Sequence, residues 1–244
     1  MNGPKPRVCL IVALIFALVT PYPMQAQDKK NIQTPYPNMA PVEQYMMDRE
    51  AEIALARSAA PESISRDATI LVLGRHGYEV AVQGKNGFVC DVERSWMSPF
   101  DNSEFWSPKQ RGANCYNKQA VSSPLQVTFL RTKLILEGWS KEQVRERMKA
   151  AFEKKEIPPV DPGAMCFMMG KGSYLSDNVL TADGAHNLAH LMFFTPPINP
   201  ADWGANMDKS PVFLDPAYKN NPEPMYVFAV ATGMWSDGTP APLE

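Results

Sequence analysis

The sequence predicts an α+β fold, an antiparallel β-sheet covered by an αα-hairpin and one further helix, with a loop-rich C-terminal third. Three observations carry that prediction. β-rich runs divided by glycine-bracketed turns occupy residues 68–94, and two capped helical patterns occupy 123–155. The last third then holds apolar runs too short for helices, separated by Pro, Gly, Asn and Asp. With 244 residues, 45% hydrophobic and 20% charged, the chain suits one domain with appendages. Twenty-three prolines against 14 glycines indicate stiff rather than flexible loops.

Residues 1–26 read as a secretory signal. Lys5 and Arg7 precede an apolar run from Val8 to Val19, and Pro21 and Pro23 lead to a cleavage point after Ala26. The run is shorter than the ~20 residues that a membrane span needs. No membrane span is therefore expected in the mature chain, which would be exported to the periplasm or beyond. Removing Lys5 and Arg7 leaves 22 basic against 26 acidic residues, a charge of −4. That balance argues against nucleic acid and against anionic lipid as partners.

Residues 27–41 are polar and proline-rich, an extended lead-in, and residues 42–244 form the single α+β domain. From Pro41 the pattern turns helical to residue 60, with Val42, Met46, Ile53 and Ala56 on one side and charges on the other. Pro61 ends it. The runs "ATILVL", "YEVAVQ" and "FVCDVER" follow, an antiparallel meander turning at "GRHG" and "GKNG". In the third run Phe88, Cys90 and Val92 alternate with Val89, Asp91 and Glu93, which predicts one apolar face and one partly charged, wet face. Residues 95–117 read as an aromatic loop packed over the sheet.

The αα-hairpin at 123–155 carries full punctuation. Ser123 stands at a cap, Pro124 at the first helical position and Gln126 at the capping-box position. Gly138 suits the left-handed residue after the first helix, and Ser140 with Gln143 restarts the pattern. Val144, Met148 and Phe152 then recur every four residues, leaving Glu142, Arg145, Glu146 and Lys149 outside. The runs "MCFMM", "HLMFF" and "MYVFAVA" complete the same sheet.

In an exported chain the cysteines have an oxidising context. Cys90 and Cys115 flank the aromatic loop, and a bridge there contributes roughly 3–4 kcal/mol in the chain-entropy model. Pairings through Cys166, otherwise a buried thiol, are the alternative.

Few residues suggest chemistry. His186 and His190 share a face if they lie on a helix, and His76 in "GRHG" offers a third ligand, so zinc or another transition metal is one reading. No cofactor is expected otherwise. Asn187 stands where a zinc protease needs its glutamate. "LMFF" favours a strand, with His190 at its mouth and His186 on a separate turn. "GKGSY" (Gly170–Tyr174) fails the spacing of a phosphate loop and reads as a glycine turn. In "WSDG", Asp237 satisfies turn amides, or pairs with His190 as a catalytic couple. Trp96, Trp106, His190 and Trp203 are the candidate binding residues.

The segments "NGFVCDVERSW", "HLMFFTP" and "WSDGTPAP" resemble signatures of an uncharacterised group of exported bacterial proteins. The resemblance implies export and one coherent domain, and it implies no activity, ligand or catalytic residue. Three readings of function follow. The foremost is a non-catalytic envelope protein that binds a small molecule or a partner. The second is a hydrolase or other enzyme using His190 with Asp237 or a metal. The third is a structural or stress-related exported domain.

Overall fold

The computed structural model describes residues 35–214 and 216–242, with Met1 and Gly3. The rest of the expected signal, and residues 27–34 of the lead-in, lie outside the described residues. No helix among the described residues is long and apolar enough to cross a membrane.

Glycine at position 84 sets the course of the first strands. β1 (Thr69–Gly74) and β2 (Gly77–Val82) form the expected hairpin, which brings Val82 back beside Ile70. A meander would then place the third run next to β2. Instead the chain crosses the start of β1, and β3 (Val89–Glu93) runs parallel to β1 on its other side. The crossing needs glycine, because a Cβ on Gly84 would stand 2.2 Å from the Thr69 nitrogen. Hydrogen bonds fix it: Gly84 N donates to Thr69 Oγ1, and Asn86 Nδ2 donates to the Ile64 carbonyl. The expected antiparallel meander is thus corrected, since β2 itself serves as part of the long connection that parallel neighbours require.

β4 (Gly112–Tyr116), β5 (Met165–Met168), β6 (His190–Thr195), β7 (Val212–Phe213) and β8 (Tyr226–Ala231) complete an eight-stranded sheet of order β2-β1-β3-β4-β5-β6-β8-β7. Apart from β1 with β3, every pair is antiparallel. β4 corrects the expectation that 95–117 is wholly loop. "GANCY" lacks the β-branched residues that mark a strand, but small residues suit its crowded position. A Cβ on Gly112 would meet the Met168 side chain at 2.8 Å. Cys90 and Cys115 face each other across β3 and β4 and are joined as a disulfide, and Cys166 is free and buried.

Alternation splits the sheet into two faces. Ile70, Cys90, Val92, Ala113 and Cys115 pack with Ala56, Ala59 and Ala60 at the end of α1 (Arg49–Arg57) and just after it. The expected helix from 42 to 60 is shorter than its pattern. Val42–Gln44 is a 3-10 turn, and Asp48 starts α1 by accepting from the Glu50 and Ala51 amides. Between them Tyr45 is drawn into the core, its hydroxyl donating to the Trp106 carbonyl. Nor are all the α1 charges outside: Glu52 is buried, paired with the buried Arg94 at 2.8 Å.

On the opposite face, Leu71, Leu73, Tyr116, Cys166, Phe194 and Val227 join one core cluster with residues of two longer helices. α2 (Glu62–Ser65) and α3 (Lys118–Val121) are single turns, whereas α4 (Pro124–Leu136) and α5 (Lys141–Glu153) have 13 residues each. Ser140 and Gln143 form a reciprocal capping box, and Val144, Met148 and Ala151 are buried. Ser123 makes no capping bond, and Gln126 donates back to the Val121 carbonyl instead, because α3 precedes α4 almost without a break.

Candidate functional site

β3 carries Asp91 and Glu93 on the face that was expected to be wet. Both are buried, Asp91 entirely and Glu93 to 9% exposure. Beside Asp91 in register is Asn114 of β4, and Tyr116 follows on the same face. The Tyr116 hydroxyl donates to Glu93 Oε1 at 2.5 Å and the Thr128 hydroxyl of α4 donates to the same oxygen at 2.8 Å. Both donors are neutral. Among the described residues Asp91 has no hydrogen-bond partner on either oxygen.

Burial pushes the Asp91 carboxyl well above the usual carboxylate range, and the neighbouring Glu93 charge pushes it further. Burial raises Glu93 too, against the pull of its two hydroxyl donors, the Arg131 charge and the Asn114 amide. Those donors favour the Glu93 anion, so in this pair Asp91 is the better holder of a proton. Burial likewise keeps Cys166 a thiol, with its Sγ 3.7 Å from Asn114 Oδ1.

Arg131, one turn beyond Thr128, closes the far wall. Its Nε and NH2 grip both oxygens of Glu223 at 2.8 Å. Its remaining nitrogen donates to the carbonyls of Trp96 and Ser98 at 3.2 and 3.1 Å, and the Phe100 ring lies 4.2 Å from the guanidinium carbon. One side chain thereby ties α4 to two loops, and beyond its bonds to Glu223 its charge also reaches Glu93.

Over this face lies an apolar cleft of about 320 Å³ adjoining a small hollow of about 60 Å³. Glu93, Met97, Met192, Tyr218 and Val227 line both. His190 lines the larger space. Its Nδ1 lies 2.6 Å from the Leu188 carbonyl, an obligate acceptor, so Nδ1 carries the proton and Nε2 is an acceptor. Among the described residues Nε2 has no hydrogen-bond partner. Burial lowers the ring's pKa, which keeps it neutral.

The histidines do not converge. His76 is exposed at the tip of the β1–β2 hairpin, four strand spacings from β6, roughly 19 Å. His186 stacks on Tyr174 with ring centres 4.3 Å apart, and its Nδ1 faces the Ser176 carbonyl. Residues 183–187 form no helix, so the four-residue spacing of His186 and His190 does not place them on one helical face. Among the described residues, no group of three His, Cys, Asp or Glu is placed to hold a metal.

Asp237 does not couple to His190. Its carboxylate accepts from the backbone and hydroxyl of Thr239, within its own turn. Trp96 is fully buried, donating to Thr132 and packed on Tyr45, and so is core rather than binding surface. Trp106 lines a separate surface hollow with Tyr36 and Lys141. Trp203 packs on Phe193 and Phe228, which point to the face opposite His190. Of the proposed binding residues, only His190 reaches the cleft. Gly170–Tyr174 is a structural turn, with Ser173 N donating to the Gly170 carbonyl.

Glu93, Thr128 and Arg131 are not among the candidate residues that the sequence suggests, although a signal exists. Thr128, Arg131 and Thr132 recur at helical spacing among the apolar buried residues of α4, and a polar stripe facing a core needs partners. Compared with protein-family models, curated proteins and solved structures, the chain finds no significant match in any of the three.

Proposed function

We propose that this is an exported, non-catalytic binding protein whose cleft takes a small, largely apolar molecule. The observation that carries this reading is the continuous space over one sheet face, where apolar walls surround a few convergent polar groups, the usual make-up of a small-molecule site. In this reading α1 covers one face of the sheet. The α4–α5 hairpin covers the other only in part, and the cleft is the uncovered remainder. Met97, Met168, Met192 and Met225 give the walls an adaptable surface that tolerates ligands of varied shape. Export follows from the signal-like N-terminus and accords with the Cys90–Cys115 pair.

The test is a thermal-shift screen of apolar small molecules with the wild type and with Met192→Trp, which fills the cleft at its shared wall. Hits that raise the wild-type midpoint should lose their effect in Met192→Trp. Equal shifts in both proteins would place binding elsewhere and sink the reading.

A further inference from the structure

Resting on that reading, we infer that the ligand carries a cationic amino group on its apolar body, and that Glu93 receives it. The argument is an imbalance of buried charge. Arg131 is committed to Glu223 through two hydrogen bonds, and Arg94 is committed to Glu52. Asp91 and Glu93 remain without a cation in hydrogen-bond contact. Among the described residues Asp91 has no hydrogen-bond partner, and Glu93 has only neutral ones, the Tyr116 and Thr128 hydroxyls and the Asn114 amide; Arg94 and Arg131 act on the two acids only through their charge at longer range. A buried carboxylate is costly unless paired with opposite charge. Of the two acids, only Glu93 lines the cleft, and it lines both chambers.

Ser98, Asn102, Gln110, Ser176 and Tyr218 also line the larger space, and can donate or accept, whereas His190 points the same way as Glu93. His190 is neutral and presents Nε2 as an acceptor, so it too calls for a donor on the ligand. An ammonium offers three N–H donors and a full positive charge. A carboxylate or phosphate would meet Glu93 and the His190 lone pair, with Arg131 already occupied. The methionine walls and the Tyr116 and Phe194 rings suit the apolar remainder, since sulfur and aromatic faces both tolerate a nearby cation.

The experiment compares three probes that share one body and differ in head: 3-phenylpropylamine, 3-phenylpropanol and 3-phenylpropionate. Binding to the wild type and to Glu93→Gln is measured by isothermal titration calorimetry at neutral pH. The amine should bind roughly tenfold or more tighter than the alcohol, the strength expected of one charge-assisted hydrogen bond. The propionate should bind weakest. In Glu93→Gln the amine should lose its advantage over the alcohol. An alcohol or propionate that equals the amine in the wild type overturns the cationic ligand and leaves the cleft reading intact. Failure of all three at millimolar concentration overturns both. The wild-type series decides the question even if the variant does not fold.

Discussion

Asp91 shows what a sequence pattern conceals at the scale of one residue. Alternation placed it correctly on the face opposite Cys90, but alternation does not say whether that face meets water. The deciding fact is remote in sequence: α4 and the following elements pack over β3 and leave both carboxylate oxygens unpartnered. Glu93, Arg94, Glu52, the Cys166 thiol and the Tyr78 and Tyr116 phenols are ionisable groups near it. In the unfolded chain Asp91 releases its proton near 3.8, whereas in the fold it holds on well above that value. Deprotonation therefore favours the unfolded chain, and stability from this group falls as pH rises through that window. Asp91→Asn removes the titration. Its thermal midpoint relative to wild type should climb between pH 4 and pH 8, by an amount worth about 1–3 kcal/mol at the top. A difference that stays flat with pH would mean Asp91 ionises normally in the fold. His190 should act in the opposite direction. Burial keeps it neutral, so its contribution is complete above the unfolded value of 6.5 and fades as pH falls below it. Wild type should therefore lose stability relative to His190→Gln on acidification below about pH 6.

Among elements, those with local signals were readable and those set by crossings were not. The Ser140–Gln143 box and the Val144–Met148 repeat of α5 depend only on neighbours in the chain, and they stand where the pattern put them. The short apolar runs of the last third became β5, β6 and β8 for the same reason. The order of β1, β2 and β3 instead depends on a steric detail at Gly84, which in the sequence looks like any turn glycine. Gly84→Ala puts a methyl against backbone that has nowhere to move, and it should cost roughly 2–4 kcal/mol or abolish soluble expression. A midpoint within one degree of wild type would show that the crossing is looser than this geometry. α4 carries a similar hidden dependence, because Arg131 and Glu223 lie 92 residues apart. Removing one partner strands a buried charge, so Arg131→Met should destabilise by about 3–5 kcal/mol. The double variant Arg131→Met with Glu223→Leu should recover much of that loss. No recovery in denaturant titration would assign the defect to the lost carbonyl contacts at Trp96 and Ser98.

At the scale of the molecule, the sheet sets the disulfide apart from the proposed binding cleft. The disulfide, α1 and the alanines after it lie against one face, and the cleft opens over the other. This division explains why the site was hard to read from sequence. Its residues come from β3, β4, α4, β5, β6, β7, β8 and the loops near Met97 and Glu223, which are far apart in the chain. The histidines and tryptophans that attract attention as single residues are dispersed between both faces and the hairpin tip. The division also predicts that stability and binding can be uncoupled. Replacing Cys90 and Cys115 together by alanine opens a constraint spanning 25 residues, and it should cost about 3–4 kcal/mol. For a domain of this size that lowers the midpoint by roughly 10 °C. Cleft affinity, measured by calorimetry well below the new midpoint, should stay within about twofold of wild type, because no cleft-lining side chain touches the disulfide face. A large loss of affinity with the fold intact would mean that the β3–β4 pairing transmits strain to Glu93. The two faces would then act as one device rather than two.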